Sequence, residues 1–515
     1  MEENQPVASM DLSSFEDGAQ YIDGKLTGGS GFEPFDVVNP ADGSTVQRVR
    51  LASTEDVDAA VAAARTALPG WSRATPGERS EVLLRLSAIL TEHAEDFAAV
   101  ETAQTGKPIR LSTEFDVPGT IDNTAFFAGA ARNLEGKAAG EYSADHTSYV
   151  RREAIGVVGS ISPWNYPLQM AAWKILPAIA AGNTIVLKPA ELTPLTSVMF
   201  ARACTLAGVP DGVVNVITGA GRSAGEHLVG HPDVAMVSFT GSTPVGKRVA
   251  EVATATVKRT HLELGGKAPF VVFDDADLDA AVHGAVAASL INSGQDCTAA
   301  TRAYVQRPLY DAFVAGVAEL YASVRLGDPR NPRTDLGPLV SYTHRDRVAG
   351  FVERARGYGA TVVTGGATGS TGHDGTDLTR GAYYLPTLIT GAAQDSEVVQ
   401  GEIFGPVLVV LPFDSDDEGL RLANDTPYGL AASAWTRDVH RSLRATREIA
   451  AGCVWVNDHI PIISEMPHGG YKSSGYGKDM SQYSMDEYTQ LKHVMFDTTA
   501  VARKDWHRTV FGDRG

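Results

Sequence analysis

The sequence predicts an α/β protein built on two mostly parallel sheets. Short apolar runs alternate with amphipathic helical segments from 174 to 290, and a second alternating stretch extends from about 269 to 460. This alternation is typical of βαβ units, in which a crossover helix joins two parallel strands. The length of 515 residues allows about two to four domains of roughly 150 residues each.

Helical segments precede the first alternating stretch. Residues 1–16 are polar and are predicted to form a flexible tail, whereas apolar residues recur at helical spacing from 54 to 100 and onward to about 135. In the first alternating stretch, strands are predicted at 184–187, 213–218 and 234–239, and helices at 194–207, 222–230 and 243–257. These elements give the first predicted domain a parallel sheet.

The second alternating stretch predicts another sheet. Its strands are predicted near 303–306, 361–364, 407–411 and 453–457. Residues 484–500 are also strand-like, but they lie beyond this stretch and have no obvious partner in it. Because an unpaired strand usually finds a neighbour, we expect 484–500 to pair with the strands of 148–158 or with another subunit.

The composition excludes several classes of partner. The formal net charge is −18, and a chain this acidic repels nucleic acid and anionic lipid. The N-terminus lacks the basic and apolar parts of a signal sequence, and no long apolar run occurs, so a cytoplasmic protein without a membrane segment is expected. Cys204, Cys297 and Cys453 have no CxxC spacing, so neither a disulfide framework nor a metal site is predicted.

Two side chains are candidate catalytic groups. Cys297 lies in a loop with small polar neighbours and a nearby glycine, which suits either a reactive thiol or a small core residue. The other two cysteines have the pattern of core residues. Glu263 lies between two leucines, before paired glycines, at the end of a strand-like segment. An apolar setting would raise its pKa and make it a base, although a solvated carboxylate at a turn fits the same pattern.

Further segments have the composition of ligand-binding loops. Residues 162–167 hold two prolines around Asn165, whose amide could donate to an oxyanion or simply complete a rigid turn. Residues 219–225 and 239–246 each join a strand to a helix, which suits either a phosphate site at a helix N-terminus or an ordinary connection. Between them, 188–191 follows a strand and could hold the hydroxyls of a ribose.

Taken in order, these motifs resemble the NAD(P)-dependent aldehyde dehydrogenase superfamily, and the later motifs at 401–406, 424–430 and 467–475 agree with it. The similarity extends from about residue 18 to 497. It implies a homo-oligomer, a dimer or a tetramer, whose subunit has a Rossmann-type NAD-binding domain with five strands. The implied divisions are the NAD-binding domain at 17–147 and 161–262, an α/β catalytic domain at 263–483, an oligomerisation β-flap at 148–160 and 484–500, and a C-terminal tail at 501–515.

The resemblance also implies catalytic roles. Cys297 would be the nucleophile that attacks the aldehyde, Asn165 and the Cys297 backbone N–H would stabilise the oxyanion, and Glu263 would activate water to hydrolyse the thioester. Many members pair the lysine that corresponds to Lys174 with a glutamate near the C-terminal end in a proton relay. Our alignment places Gln482 at that position, which predicts that water or Lys174 alone serves here.

The implied cofactor is NAD. Lys188 and Glu191 would hold the adenine ribose, Ser242 would approach the pyrophosphate, and Glu402 and Phe404 would lie at the nicotinamide side. Glu191 favours NAD over NADP, because a carboxylate repels a 2′-phosphate. The full set of implied cofactor contacts is Ile161, Ser162, Pro163, Trp164, Lys188, Pro189, Ala190, Glu191, Gly221, Gly225, Phe239, Thr240, Gly241, Ser242, Val245, Leu264, Gly265, Glu402 and Phe404.

A narrower resemblance concerns the aldehyde. The segments 295–297, 464–470 and 475–481 are similar to those of bacterial 4-aminobutyraldehyde dehydrogenases of putrescine breakdown. A cationic ω-aminoaldehyde would be favoured by acidic and aromatic side chains. The implied substrate contacts are Tyr166, Trp173, Asp296, Glu465 and His468.

Different substrates, or none, fit the same motifs. Betaine aldehyde is one candidate, although Ile291 stands where betaine aldehyde enzymes commonly have an aromatic residue. Simple aliphatic or aromatic aldehydes are a second possibility. A catalytically silent, NAD-binding structural relative is a third, and it belongs to a different functional class.

Overall fold

The computed structural model describes residues 19–31 and 34–512, so the predicted tail at 1–16 lies outside the described residues. The strands are β1 (Gln20–Ile22), β2 (Lys25–Thr27), β3 (Pro34–Val38), β4 (Thr45–Arg50), β5 (Gly140–Ser143), β6 (His146–Ala154), β7 (Val157–Ile161), β8 (Thr184–Lys188), β9 (Val214–Val216), β10 (Val234–Thr240), β11 (Arg259–Glu263), β12 (Ala268–Val272), β13 (Ala300–Gln306), β14 (Thr361–Thr364), β15 (Thr387–Thr390), β16 (Val407–Phe413), β17 (Ala431–Trp435), β18 (Cys453–Val456), β19 (Gly475–Tyr476) and β20 (Thr489–Asp497). The α-helices are α1 (Thr54–Trp71), α2 (Pro76–Glu92), α3 (Ala94–Thr105), α4 (Ile109–Leu111), α5 (Val117–Ala130), α6 (Pro167–Ala180), α7 (Leu195–Leu206), α8 (Glu226–Gly230), α9 (Thr243–Thr254), α10 (Leu278–Leu290), α11 (Arg307–Ser323), α12 (Tyr342–Gly357), α13 (Glu397–Gln400), α14 (Asp416–Asn424), α15 (Val439–Glu448), α16 (Ser481–Glu487) and α17 (Arg508–Phe511).

The first sheet has five parallel strands in the order β11, β10, β7, β8 and β9. Antiparallel strands extend it at both edges, with β19 next to β11 and the hairpin of β1 and β2 next to β9. Helix α6 is buried along its whole length, because nearly all of its side chains are apolar. The alternation of strands and helices thus produces the parallel sheet that the sequence predicts.

The second sheet has seven strands in the order β14, β15, β16, β13, β12, β17 and β18, and only the edge pair of β14 and β15 is antiparallel. Apolar clusters that include Val271 and Phe270 pack on its two faces, since neighbouring residues of a strand point to opposite sides. The predicted α/β fold is therefore confirmed, with two sheets of mostly parallel strands.

A separate three-stranded sheet joins two distant parts of the chain. Strand β20 pairs antiparallel with β6, from Thr489 opposite Ala154 to Asp497 opposite His146, so the expected pairing of these segments is confirmed. The expected bounds of this unit differ from the structure at both segments. Residues 157–160 belong to β7 of the first sheet, because the chain turns at Gly156, whose φ is +139°.

The other segment of this unit begins with a helix rather than a strand. Residues 484–487 lie in α16, and the strand starts at Thr489. Met485 and Tyr488 are fully buried in the core beside the first sheet, and their spacing of three residues places them on one face of a helix. Their apolar side chains therefore belong to a helix and not to the predicted strand. No helix among the described residues is long and apolar enough to cross a membrane.

Candidate active site

A cavity of about 280 Å³ lies beside the carboxyl ends of β7, β10 and β11, where α/β proteins commonly bind ligands. Most of the catalytic and substrate candidates, and part of the cofactor set, line it. These lining residues are Pro163, Trp164, Asn165, Tyr166, Trp173, Thr240, Gly241, Ser242, Glu263, Leu264, Gly265, Asp296, Cys297, Glu402, Phe404 and His468. Further lining residues are not indicated by any of the sequence motifs, namely Phe115, Gln169, Met170, Thr298, His344, Arg347, Ile460, Ile462 and Asp479.

The loop of Cys297 is shaped by a left-handed turn. Helix α10 ends at Leu290, and Asn292, Ser293 and Gly294 follow with φ values of 48°, 57° and 70°. A Cβ on Gly294 would lie 2.2 Å from the Gly405 carbonyl oxygen, so the loop needs glycine there. This tight turn places Cys297 at the cavity wall, where it is half-buried.

Asn165 is fixed to the same loop. Its Nδ2 donates to the Gln295 carbonyl at 3.0 Å, and the Asn292 side chain donates to the Asn165 carbonyl at 2.8 Å. An amide nitrogen carries two hydrogens, so one remains for an oxygen in the cavity. The arrangement orients a neutral donor next to Cys297, as an oxyanion site requires.

The electrostatic setting keeps the Cys297 thiol protonated. Burial raises its pKa well above the usual value, and the charges of Asp296, Glu263 and Glu402 raise it further. A thiol of this kind needs a base at the moment of attack. Burial also raises the pKa of Glu263 well above its usual value, and the nearby Asp479 adds to the effect. Glu263 lines the same cavity, and a raised pKa makes the ionised side chain a stronger base, so it is a candidate proton acceptor.

The position of the lysine partner differs from the sequence-based expectation. Lys174 Nζ donates to both carboxylate oxygens of Asp479, at 2.8 and 3.1 Å, and both side chains are essentially fully buried. Gln482 instead donates to the Asn133 carbonyl at 3.3 Å and is not the partner of Lys174. The expectation that water or Lys174 alone serves is therefore wrong, because Asp479, three residues before Gln482, faces the lysine. Lys174 therefore has a carboxylate partner.

The cofactor candidates form two groups along the first sheet. Lys188, Gly225 and Ile161 lie together, since a Cβ on Gly225 would be 3.4 Å from Lys188 Cδ and 3.6 Å from Ile161 Cδ1. Glu191 lies 3.8 Å from Lys188 Nζ at the surface. Neither Lys188 nor Glu191 lines the catalytic cavity, and the same is true of Ser162, Pro189, Ala190, Gly221, Phe239 and Val245. This group could contact only the part of a long ligand that extends beyond the cavity.

The second group lies at the N-terminus of α9 and around Glu402. Ser242 precedes α9 and makes no side-chain cap, so the N–H groups of Thr243 and Val245 in the first turn of this twelve-residue helix are open to an anion, whereas Pro244 has no N–H. The hydroxyl of Thr240 is buried without a partner beside the cavity. Glu402 accepts from the Gly266 N–H at 2.9 Å, and the Phe404 ring packs edge-on against Trp164 with centroids 5.3 Å apart. These groups fit a dinucleotide that lies along the cavity.

The substrate candidates meet at the other end, with one exception. Tyr166 donates to Asp296 at 2.8 Å, and the Trp173 ring lies 5.1 Å from that of His468. Glu465 is exposed and does not line the cavity, so its assignment as a substrate contact is wrong. The neighbouring Ser464 is buried between Asp122 and Asn123, which leaves the next side chain facing solvent.

The sequence matches the description "Aldehyde dehydrogenase family" over residues 27–494. The chain belongs to this family. Among solved structures, it is similar to a putative aldehyde dehydrogenase from Burkholderia cenocepacia, with 40% identity, 95% of this chain and 99% of that chain covered, and a TM-score of 0.92. The aldehyde dehydrogenase architecture therefore accounts for both sheets and for the cavity between them.

Two further relatives are named by their ligand or substrate. An aldehyde dehydrogenase from Bacillus cereus, solved as an NAD+ complex, has 38% identity, 96% and 99% coverage of the two chains, and a TM-score of 0.91. A betaine aldehyde dehydrogenase variant from Staphylococcus aureus, solved with NAD+ and a modified cysteine, has 35% identity, 94% and 98% coverage, and a TM-score of 0.91. Members of this family thus bind NAD+ on the same fold.

Proposed function

We propose that this aldehyde dehydrogenase oxidises an aldehyde to the free acid with NAD+, and that its substrate is 4-aminobutyraldehyde or another ω-aminoaldehyde. The observation that carries the reaction type is the cavity that brings Cys297, Asn165 and Glu263 together. A thiol, a neutral amide donor and a buried carboxylate are the nucleophile, oxyanion donor and base that such a reaction needs. An intact set of all three disfavours a silent structural relative.

The residues of the cavity support a two-stage mechanism. Glu263 accepts the thiol proton as Cys297 attacks the carbonyl carbon, and the Asn165 amide and the Cys297 backbone N–H donate to the resulting oxyanion. After oxidation the acyl group is held on Cys297 as a thioester. Glu263 releases the thiol proton to solvent and, ionised again, removes a proton from water, which attacks the thioester carbon; the C–S bond breaks, and the acid and the Cys297 thiol are released. Burial raises the pKa of Glu263, which makes its ionised form a stronger base than an exposed carboxylate.

NAD+ fits the open helix N-terminus and the two groups of cofactor candidates. When bound, it would supply the hydride acceptor. We assign Ser242 and the first turn of α9 to the pyrophosphate, Glu402 to the nicotinamide ribose, and Lys188 with Glu191 to the adenine ribose. The carboxylate of Glu191 would accept from a free 2′-hydroxyl and repel a 2′-phosphate, which favours NAD over NADP.

The proposal of a cationic aldehyde rests on Asp296 and the aromatic wall. Asp296 lines the cavity and is held by Tyr166 and by the Thr298 N–H and hydroxyl, so its charge is fixed in place. The Lys107 ammonium lies 4.2 Å from the centroid of the Tyr166 ring and already occupies one of its faces. We therefore assign the cation–π contact to Trp173 and the charge contact to Asp296.

We also propose that the three-stranded sheet of β5, β6 and β20 contacts another copy of the chain. Leu491, Met495 and Phe496 of β20 are exposed apolar side chains, and β20 pairs on one side only. An open strand edge with apolar side chains usually has a partner. Replacing Leu491 with Asp should therefore lower the native mass measured by sedimentation, and an unchanged mass would contradict this role.

Activity measurements test the proposed reaction and substrate. The purified protein should reduce NAD+ with 4-aminobutyraldehyde in the absence of coenzyme A, and Cys297→Ser should abolish NADH formation. Asp296→Asn should raise KM for the cationic aldehyde but not for an uncharged aldehyde of equal length. Glu465→Gln is the matched control, because that carboxylate faces solvent, and it should change neither value. If the protein oxidised simple aliphatic aldehydes well and did not oxidise ω-aminoaldehydes, the proposed substrate class would be refuted.

A further inference from the structure

His261 lies directly behind Glu263 and has no role in the mechanism described above. Both side chains belong to β11 and are two residues apart, so they point to the same face of the strand. His261 is fully buried and does not line the cavity, whereas Glu263 does. The histidine can therefore affect the reaction only through its neighbours.

Two buried polar atoms face each other at this point without a hydrogen bond. Within residues 19–31 and 34–512, His261 Nε2 and Glu263 Oε1 have no hydrogen-bond partner, and they are 3.8 Å apart. The same nitrogen lies 3.7 Å from Asp479 Oδ1. Leaving a buried donor and acceptor unpaired is costly, and native proteins rarely do so. A small rotation of the Glu263 side chain would convert the 3.8 Å approach into a hydrogen bond.

The surroundings determine which ring nitrogen of His261 carries the proton. Burial lowers the pKa of His261 well below its usual value, and Lys174 and Lys478 lower it further, so the ring is neutral. The Ser238 hydroxyl lies 3.2 Å from Nδ1 and can donate to it. Because Nε2 faces carboxylate oxygens, which accept hydrogen bonds, the consistent tautomer has its hydrogen on Nε2.

We propose that His261 is a positioning residue whose Nε2–H donates to the Glu263 carboxylate and holds it in the orientation that activates water. This inference rests on the proposed function, because it assigns His261 to the hydrolysis step of that reaction. A donor to a carboxylate favours its charged form, so His261 also opposes the effect of burial on Glu263. The ring then links the base to the buried pair of Asp479 and Lys174.

The packing around the ring holds it in this place. A Cβ on Gly477 would lie 2.3 Å from His261 Cδ2, and a Cβ on Gly469 would lie 2.4 Å from Glu263 Oε1. Both glycines have positive φ values, of 91° and 155°. The Tyr488 ring packs edge-on against His261 with centroids 6.3 Å apart. The chain thus approaches both side chains at positions where only glycine fits, and it leaves the imidazole little room to turn away.

An acyl-transfer experiment with three variants tests this role. His261→Leu keeps the approximate volume and removes the donor, His261→Gln restores a donor near the position of Nε2, and Tyr488→Phe is the control. Each full-length protein is mixed rapidly with p-nitrophenyl acetate, which acylates Cys297 without hydride transfer. The burst of p-nitrophenolate reports acylation, and the steady rate that follows reports hydrolysis of the acyl-enzyme. The steady rate is measured across the pH range.

We expect His261→Leu to keep the amplitude of the burst, which counts the sites that form the acyl-enzyme, and to slow hydrolysis about 10- to 100-fold, the factor for losing one hydrogen bond to a charged group. The midpoint of its pH profile should move upward, because the base loses a donor to its charged form. His261→Gln should recover much of the rate, and Tyr488→Phe should match the wild type.

Three outcomes would overturn the inference. The first is a wild-type hydrolysis rate in His261→Leu. The second is a burst amplitude that falls in proportion to the hydrolysis rate, with an unmoved midpoint, which would indicate that the variant only reduces the fraction of folded sites. The third is a wild-type protein that forms no acyl-enzyme, and this result would overturn the proposed function as well.

Discussion

Replacing Asp479 with Asn should move the pH dependence of acyl-enzyme hydrolysis to lower pH. In the proposed mechanism Glu263 acts as a base only when ionised, so the hydrolysis rate should rise as the pH passes through its pKa. Burial raises that pKa, and the charge of Asp479 raises it further. The Asn side chain has nearly the same shape and no charge. The ionised form of Glu263 should therefore be populated at lower pH in the variant.

The size of the shift follows from the geometry around His261. Its Nε2 lies 3.8 Å from Glu263 Oε1 and 3.7 Å from Asp479 Oδ1, so the two carboxylate oxygens are at most about 7.5 Å apart. At an effective dielectric constant of about 20, two unit charges at that distance repel by about 2 kcal/mol. This energy corresponds to about 1.5 pKa units. We expect the midpoint to fall by about one to two pH units.

The assay needs a control for the broken ion pair. Asp479→Asn leaves the buried Lys174 without its partner, and unpairing a buried ion destabilises a protein by about 3–5 kcal/mol. Lys174→Met removes the positive charge that lowers the pKa of Glu263, so it should raise the midpoint of the pH profile. The double variant Lys174→Met with Asp479→Leu removes both charges, so its midpoint should stay near that of the wild type. Hydrolysis of the acyl-enzyme is followed by rapid mixing, and circular dichroism verifies that each variant is folded.

The direction of the shift decides the outcome. An unchanged or higher midpoint in a folded Asp479→Asn variant would refute the electrostatic reasoning, and it would mean that another group limits hydrolysis. A downward shift in the double variant as large as that in Asp479→Asn would also contradict the electrostatic reasoning. The double variant removes one charge that raises the pKa of Glu263 and one that lowers it, so the two effects should offset each other.

Three further variants and probes test separate parts of the structure. Lys107 is fully buried between Asp116, at 2.5 Å, and Glu101, at 3.5 Å, so Lys107→Met should lower the free energy of unfolding by about 3–5 kcal/mol in a urea titration. The exposed pair of Arg48 with Asp36 is the control, and its loss should have no measurable effect. Glu191→Ser should lower KM for NADP+ and raise KM for NAD+, and an unchanged ratio would exclude Glu191 from the ribose site. Bound butylammonium should speed the alkylation of the Cys297 thiol by iodoacetamide below neutral pH, whereas butanol, the uncharged control, should not. A bound cation offsets the charges of the carboxylates that raise the pKa of the thiol.

The fold could be predicted from the sequence where strands and helices alternate in a clear pattern of apolar residues. The alternation of apolar runs and amphipathic helices predicts the parallel strands from β8 to β11, because buried parallel strands are apolar on both faces. It does not predict β1, which has three residues and is stabilised by pairing with β2 and β9. Short strands of this kind carry too little local signal, since their stability comes from contacts with distant parts of the chain.

The candidate site was predictable where a motif occupies one loop. Cys297 and Asn165 lie in such loops, Glu263 ends β11 just before the paired glycines, and the cavity joins them. The partner of Lys174 was not predictable in this way, because Asp479 and Gln482 are three residues apart and only the fold decides which one faces the lysine. Glu465 shows the same limit, since a motif identifies a segment but not the direction of each side chain.

The acidic character of the chain has two opposite effects at the active site. Asp296, Glu263 and Glu402 raise the pKa of the Cys297 thiol, so a standing thiolate is disfavoured. The same negative charges attract a cationic aldehyde, whose ammonium group partly cancels their effect on the thiol when it binds. Substrate binding would thereby lower the thiol pKa at the moment when Glu263 must accept its proton. If the proposed cationic aldehyde is the substrate, this coupling gives a reason for placing several carboxylates around Cys297, and an uncharged aldehyde of equal length should not produce it.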